Sequence, residues 1–149
     1  MRLEDEIHQK KFKSEEQKAV VNLLYTSGFL INQFNEKAKA FDITRQQYNV
    51  LRILKGQLPK SASINLIKDR MLDKMSDASR IVERLRLKHL IERKISNTDK
   101  RAVEITITQK GLNLLSDMEP AINSVDEVFN GFSNEELTTF NSLLDKVRG

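Results

Sequence analysis

Cysteine is absent from this 149-residue chain. That excludes a disulfide scaffold, a thiol redox sensor and any thiolate metal site. Only 2 prolines and 5 glycines interrupt the sequence, so it is built for long regular elements with few breaks, and a helix-rich fold follows. Long apolar runs are missing too. The most apolar stretch, AVVNLLYTSGFLI, carries Asn22, Thr26, Ser27 and Gly28 and is too short and too polar to span a bilayer. The opening residues MRLEDEIHQKKFKSEEQ contain no apolar core of the kind a signal peptide needs. A cytoplasmic protein with no membrane partner is the expectation. The 2 histidines, His8 and His89, fall in separate elements without a third nitrogen or sulfur ligand. There is no HExxH and no glycine-rich phosphate loop. Acidic pairs such as Glu15-Glu16 and Glu135-Glu136 lie in first helical turns, where the helix dipole accounts for them. No metal, no cofactor and no catalytic constellation are expected.

What the chain does have is charge in an uneven distribution. Hydrophobic residues make up 39% and charged residues 31%, a globular balance with enough length for one core. The net charge is +4, and one segment holds all of the excess. Lys60 to Arg101 carries 12 Lys/Arg against 6 Asp/Glu, a net of +6, whereas the rest carries 13 against 15, a net of −2. A localised basic stretch is the electrostatic footprint of a nucleic-acid contact.

Helix starts are marked by capping-box spacings at Ser14-Gln17, Thr44-Gln47 and Ser133-Glu136. The first long helix is expected from about Glu15 to Ala40, with Val20, Leu23, Leu24, Ser27, Leu30, Phe34 and Phe41 tracing one stripe. A second, about Arg45 to Lys55, buries Tyr48, Leu51 and Ile53 or Leu54 and ends at Gly56 and Pro59. A short helix near Asn65 to Arg70 follows. The next, KMSDASRIVERLRLKH, is capped by Asp73 or Ser76 and buries Ala78, Ile81, Val82 and Leu85. It leaves a polar, basic face of Ser76, Ser79, Arg80, Glu83 and Arg84, with Asp77 near its start. The period then changes from 3.6 to 2. IERKIS and VEITIT read as two antiparallel strands around the tip NTDKRA, and Thr108 can cap the helix after them. That helix, about Gln109 to Asn130, carries Leu115, Met118, Ile122, Val125 and Phe129 at coiled-coil-like spacing. Pro120 should kink it by removing the bond to Ser116. The last helix continues the seam with Leu137, Phe140, Leu144 and Val147.

A short helix, a turn, a helix with a polar face and a two-stranded ribbon make a winged helix-turn-helix. The fold class is mainly α with a small antiparallel β-ribbon, joined to long helices. One domain spans 1–149. Its winged part covers about 42–108, and its extended helical part about 14–41 and 109–148. A single helix fits the B-DNA major groove, where an arginine can sit bidentate on guanine. The ribbon tip can reach the backbone or a narrow minor groove. Candidate DNA contacts are therefore Lys74, Ser76, Asp77, Ser79, Arg80 and Arg84 on the recognition helix, and Asp99, Lys100 and Arg101 on the wing.

On these residues the chain resembles the MarR family of transcriptional regulators over nearly its whole length. FDITRQQYNVLRIL is similar to the family's gLTxxQfxVLxxL segment. SRIVERLRLKHLIERKISNTDKRAVEITITQKG is similar to its recognition helix, wing and closing signature, with Asp99-Lys100-Arg101 and Ile107-Thr108-Gln109-Lys110-Gly111 the most specific pieces. The resemblance implies a homodimer with intertwined terminal helices, one recognition helix in each half-site of a pseudopalindromic operator, and double-stranded DNA as the partner. It also implies Arg101 as the minor-groove arginine, oriented by Asp99. The chain departs from the family in having His89 where glycine is usual, and Lys74-Met75 in place of small polar residues.

The resemblance further implies a small aromatic or phenolic effector, for which Tyr25, Phe29, Tyr48 and Arg52 are the candidate lining. The competing reading is a winged-helix module that binds protein. Salt separates the two, because DNA binding weakens steeply as counterions compete.

Overall fold

A computed structural model describes residues 1–149. The elements are α1 (Leu3–Glu6), α2 (Glu15–Lys39), α3 (Arg45–Gln57), α4 (Ile64–Arg70), α5 (Ala78–Leu87), β1 (Ile91–Ile95), β2 (Val103–Ile107), α6 (Gln109–Asn123) and α7 (Asn134–Arg148). A 3-10 segment, Ser124–Phe129, links the last two helices. No helix is long and apolar enough to cross a membrane.

The helix starts have the chemistry their sequences suggest. Thr44 and Ser133 complete reciprocal capping boxes with Gln47 and Glu136. Ser14 makes only the first half: its hydroxyl accepts from the Gln17 N–H at 3.2 Å, while the Gln17 side chain takes the Lys13 N–H instead. Ser63 caps α4 and Thr108 caps α6.

The core lies in the winged half. Val50, Leu51 and Leu54 of α3, Ile67 of α4, Ala78, Val82 and Leu85 of α5, and Ile91, Ile105 and Ile107 of the ribbon form one buried cluster. The ribbon is a simple antiparallel pair with Ile91 opposite Ile107 and Ile95 opposite Val103. It is widened by a bridge between Ala62 and Ile105, which ties the start of α4 to β2.

Several expectations are corrected. The α2 stripe divides: Phe34 and Phe41 pack against the protomer core, whereas Val20, Leu23 and Leu24 are 59%, 41% and 69% exposed. Gly56 lies inside α3 rather than ending it. Of the alternating face Ile91, Arg93 and Ile95, only Ile91 is buried, and Ile95 is 68% exposed because the ribbon tip projects beyond the helices.

Pro120, where the sequence places a kink, lies inside α6. The α-helix runs on to Asn123 and tightens to 3-10 geometry only at Ser124, whose hydroxyl donates to the Ala121 carbonyl at 2.7 Å. The expected seam divides accordingly. Leu115 and Met118 are buried in the protomer's own core, whereas Ile122, Val125 and Phe129 are half-buried. Beyond them α7 buries no residue at all: Leu137 and Leu144 are half-buried and Phe140 is exposed.

Candidate nucleic-acid interface

The recognition element is shorter than its sequence pattern suggests. Asp77, not Asp73 or Ser76, is the N-cap of α5, and its carboxylate accepts the Arg80 N–H at 3.1 Å. Lys74 and Ser76 therefore lie in the turn before the helix. Asp73 organises that turn by accepting the Met75 N–H at 3.1 Å. This bond, with a smaller contribution from Ser76, holds the Asp73 carboxyl below its usual range. Arg45 of α3 adds an ion pair to Asp73 at 3.7 Å. The Lys74 ammonium is tied to the Asp69 carbonyl, which turns it back toward α4. The helix starts late because two aspartates in succession hold the backbone in turn geometry before the first buried residue, Ala78.

Ser79, Arg80 and Arg84 are exposed on α5, over a face buried through Ala78, Val82 and Leu85. Arg80 and Arg84 make no salt bridge, unlike Arg86 and Arg93, which share Glu83. A groove of about 350 Å³ runs along this face, lined by Ser76, Asp77, Arg80 and Arg84 on one side and by Gln46 of α3 on the other. Gln46 and Thr44 were not among the sequence candidates. The capping box marks them only as a helix start, and nothing in the sequence shows that this start faces α5.

At the wing tip, Ser96 is 94% buried, being only 6% exposed. Its hydroxyl lies 3.0 Å from the Thr98 hydroxyl and accepts from the Thr98 and Asp99 N–H groups at 3.3 and 3.4 Å. The Ser96 N–H donates to the Ala102 carbonyl at 3.0 Å and closes the tip. Asp99 orients Arg101 through the backbone: its carboxylate accepts the Arg101 N–H at 2.9 Å, and the two side chains form no ion pair. The Lys100 and Arg101 side chains are left exposed and without a salt bridge.

The junction with α6 explains the Ile107–Gly111 signature. The Thr108 hydroxyl donates to the His89 carbonyl at 2.8 Å and accepts the Gly111 N–H at 3.1 Å. A Cβ on Gly111 would run into the Leu90 carbonyl and come within 2.6 Å of the Ile107 side chain, so only glycine fits. His89 takes the left-handed conformation, at φ 60°, that glycine would adopt without strain.

The four candidate effector residues do not form one enclosed site in the protomer. The Tyr25 hydroxyl donates to Glu6 of α1 at 2.6 Å, which raises its pKa. Tyr48 packs its ring against Phe34, with centroids 5.1 Å apart, and burial raises its pKa. Phe29 and Arg52 are exposed. The helix α1 that engages Tyr25 had no counterpart in the sequence reading. Its anchor is Leu3, together with the ion pair from Glu4 to Lys18 at 2.6 Å.

No family model matches the chain. It is 29% identical over 119 residues to the HTH-type transcriptional regulator MhqR of Bacillus subtilis (strain 168), covering 78% of this chain and 79% of the relative. Among solved structures it superposes on a MarR transcription factor from Planctomyces limnophilus with a TM-score of 0.69 at 28% identity, covering 93% of this chain and 96% of the other. The MepR–DNA complex of S. aureus shares the fold with a TM-score of 0.77 at 21% identity, covering 92% and 97% of the two chains.

Proposed function

We propose that this chain is a winged helix-turn-helix transcriptional regulator of the MarR family and that it binds double-stranded DNA as a homodimer, each protomer reading one half-site of a pseudopalindromic operator. The observation that carries the reading is a group of free cations on α5 and at the wing tip. Arg80 and Arg84 on α5 and Lys100 and Arg101 on the wing are exposed and have no carboxylate partner, while neighbouring cations are paired. Free guanidinium groups on a helix that fits the major groove are matched to guanine edges and phosphates. Ser79 adds a hydroxyl to the same face. Ser76 and Asp77 flank the start of the helix. Lys74, bound to a carbonyl, is the weakest of the sequence candidates.

The homodimer is supported by apolar surface that the single chain does not cover. Leu23 and Leu24 of α2 are exposed, as are Phe140, Leu143 and Val147 of α7. A second copy would bury this surface, which a lone soluble domain rarely leaves open. In that assembly Ile122, Val125, Phe129, Leu137, Phe140 and Leu144 serve the subunit interface, whereas Leu115 and Met118 serve the protomer core. A small aromatic or phenolic molecule is the effector class proposed; of its candidate residues, Arg52 lies close enough to Tyr48 to act on its charge.

The test is a binding selection from random duplex DNA at near-physiological salt, with a sizing run alongside. An inverted repeat with half-sites about one helical turn apart is the expected outcome. A purified chain that binds no duplex at low salt would refute the proposal.

A further inference from the structure

The outward face of α5 also carries an anion. Glu83 lies one turn after Ser79 and Arg80 and one turn before Leu87, so it shares the face that holds the free arginines. A carboxylate there opposes the approach of a polyanion unless it is engaged, and Glu83 is engaged twice. It accepts from Arg86 Nε at 2.9 Å and from Arg86 Nη2 at 2.7 Å, the paired geometry of a guanidinium fork. Arg93 Nη1, on β1, lies 3.9 Å from the same carboxylate. One side chain thus spans the recognition helix and the wing. The hydrogen bond from Arg86, aided by the charges of Arg86 and Arg93, holds the Glu83 carboxyl below its usual range, so it is ionised at neutral pH.

The cations near the groove-facing surface therefore form two classes. Arg80, Arg84, Lys100 and Arg101 are free, and Arg86 and Arg93 are held. We propose that Glu83 is a positioning residue: by holding Arg86 and Arg93 it withholds two cations from the DNA backbone and keeps the affinity for non-cognate sequence low. This rests on the DNA-binding reading above. Phosphate contacts strengthen binding to every sequence alike, whereas base contacts strengthen binding to one. Withholding two phosphate contacts lowers the affinity for every sequence and leaves Arg80 and Arg84 free for the groove, so that a stable complex depends on base contacts.

The test uses the full-length protein and two substitutions, with binding to a fixed non-cognate duplex measured across a salt series. Glu83→Gln keeps the shape and removes the charge. It is expected to tighten non-cognate binding and to steepen the log K against log salt slope by about 2, roughly 0.9 for each arginine released to a phosphate. Deleting any nearby negative charge tightens binding, so Arg93→Gln is measured in both backgrounds. With the clamp, Arg93→Gln changes little in the wild type but removes about one unit of slope from the Glu83→Gln protein. Equal effects of Arg93→Gln in the two backgrounds overturn the inference. So does a slope that Glu83→Gln leaves unchanged in a protein whose melting curve shows it folded. A wild-type protein that binds no duplex fails the functional reading itself, a result visible before any variant is made.

Discussion

At the scale of single residues, the sharpest constraints lie where the winged half meets α6. Gly111 packs so closely on the Leu90 carbonyl and the Ile107 side chain that one added methyl has no room. Gly111→Ala is expected to cost about 1–3 kcal/mol of folding stability, as overpacking of a tight junction does. Denaturant unfolding followed by circular dichroism measures this, and a variant as stable as the wild type would contradict the packing described. The arginines divide by role rather than by position. Arg80→Ala, on the groove-facing helix, is expected to relax base preference at one operator position by about 1–3 kcal/mol. Arg101→Ala, at the wing tip, should weaken binding nearly uniformly across sequences. Competition titrations with single-base operator variants separate the two patterns, and a uniform loss for Arg80→Ala would remove it from base readout.

At the scale of elements, α5, the turn before it and the folded-back N-terminal arm carry surface carboxylates whose pKa values are lowered by specific partners. The partners are the Met75 N–H for Asp73, Lys18 for Glu4, Ser14 for Glu16 and Arg86 for Glu83. In each case the fold favours the ionised form. Their contribution is therefore complete above the ordinary glutamate value of 4.5 and is lost as pH falls through the lowered folded values. Calorimetric melting temperatures should stay level down to about pH 5 and then fall on further acidification. A melting temperature that rises below that point would mean these pairs do not favour the fold. The same elements show why the recognition helix was drawn too long from sequence. KMSD has no helix breaker, but two aspartate side chains take backbone N–H groups there and keep the chain in a turn.

At the scale of the whole molecule, α2 and α7 leave Leu23, Leu24, Leu143 and Val147 exposed within one chain. Leu143 is 56% exposed and belongs to a groove of about 270 Å³ that α7 forms with Leu23 of α2. Leu143→Asp should leave the protomer fold intact and disrupt assembly. Sizing with light scattering is expected to show the wild type at twice 17.2 kDa and the variant at 17.2 kDa. Wild-type protein that stays at the single-chain mass at micromolar concentration would overturn the dimer. Because paired recognition helices are what a two-fold operator requires, the same substitution is expected to cost cooperative binding to an inverted repeat.

Period and punctuation carried much of this protein. The shift from 3.6 to 2 at Ile91, the capping boxes at Thr44 and Ser133, and the Thr108 cap are local chemistry, set by side chains within a few residues of one another. The localisation of basic charge between Lys60 and Arg101 is likewise a property of the chain alone. Tertiary structure decided everything that depends on which surfaces meet. It placed Gln46 across the groove from Arg80, drew Leu115 and Met118 into the protomer core while leaving the rest of their seam less covered, and set Tyr25 against Glu6. It also held Arg93 while leaving Arg80 and Arg84 free, because whether that guanidinium has a carboxylate within reach depends on how β1 packs beside α5. A period names the face a residue occupies, but only packing supplies the partner opposite that face.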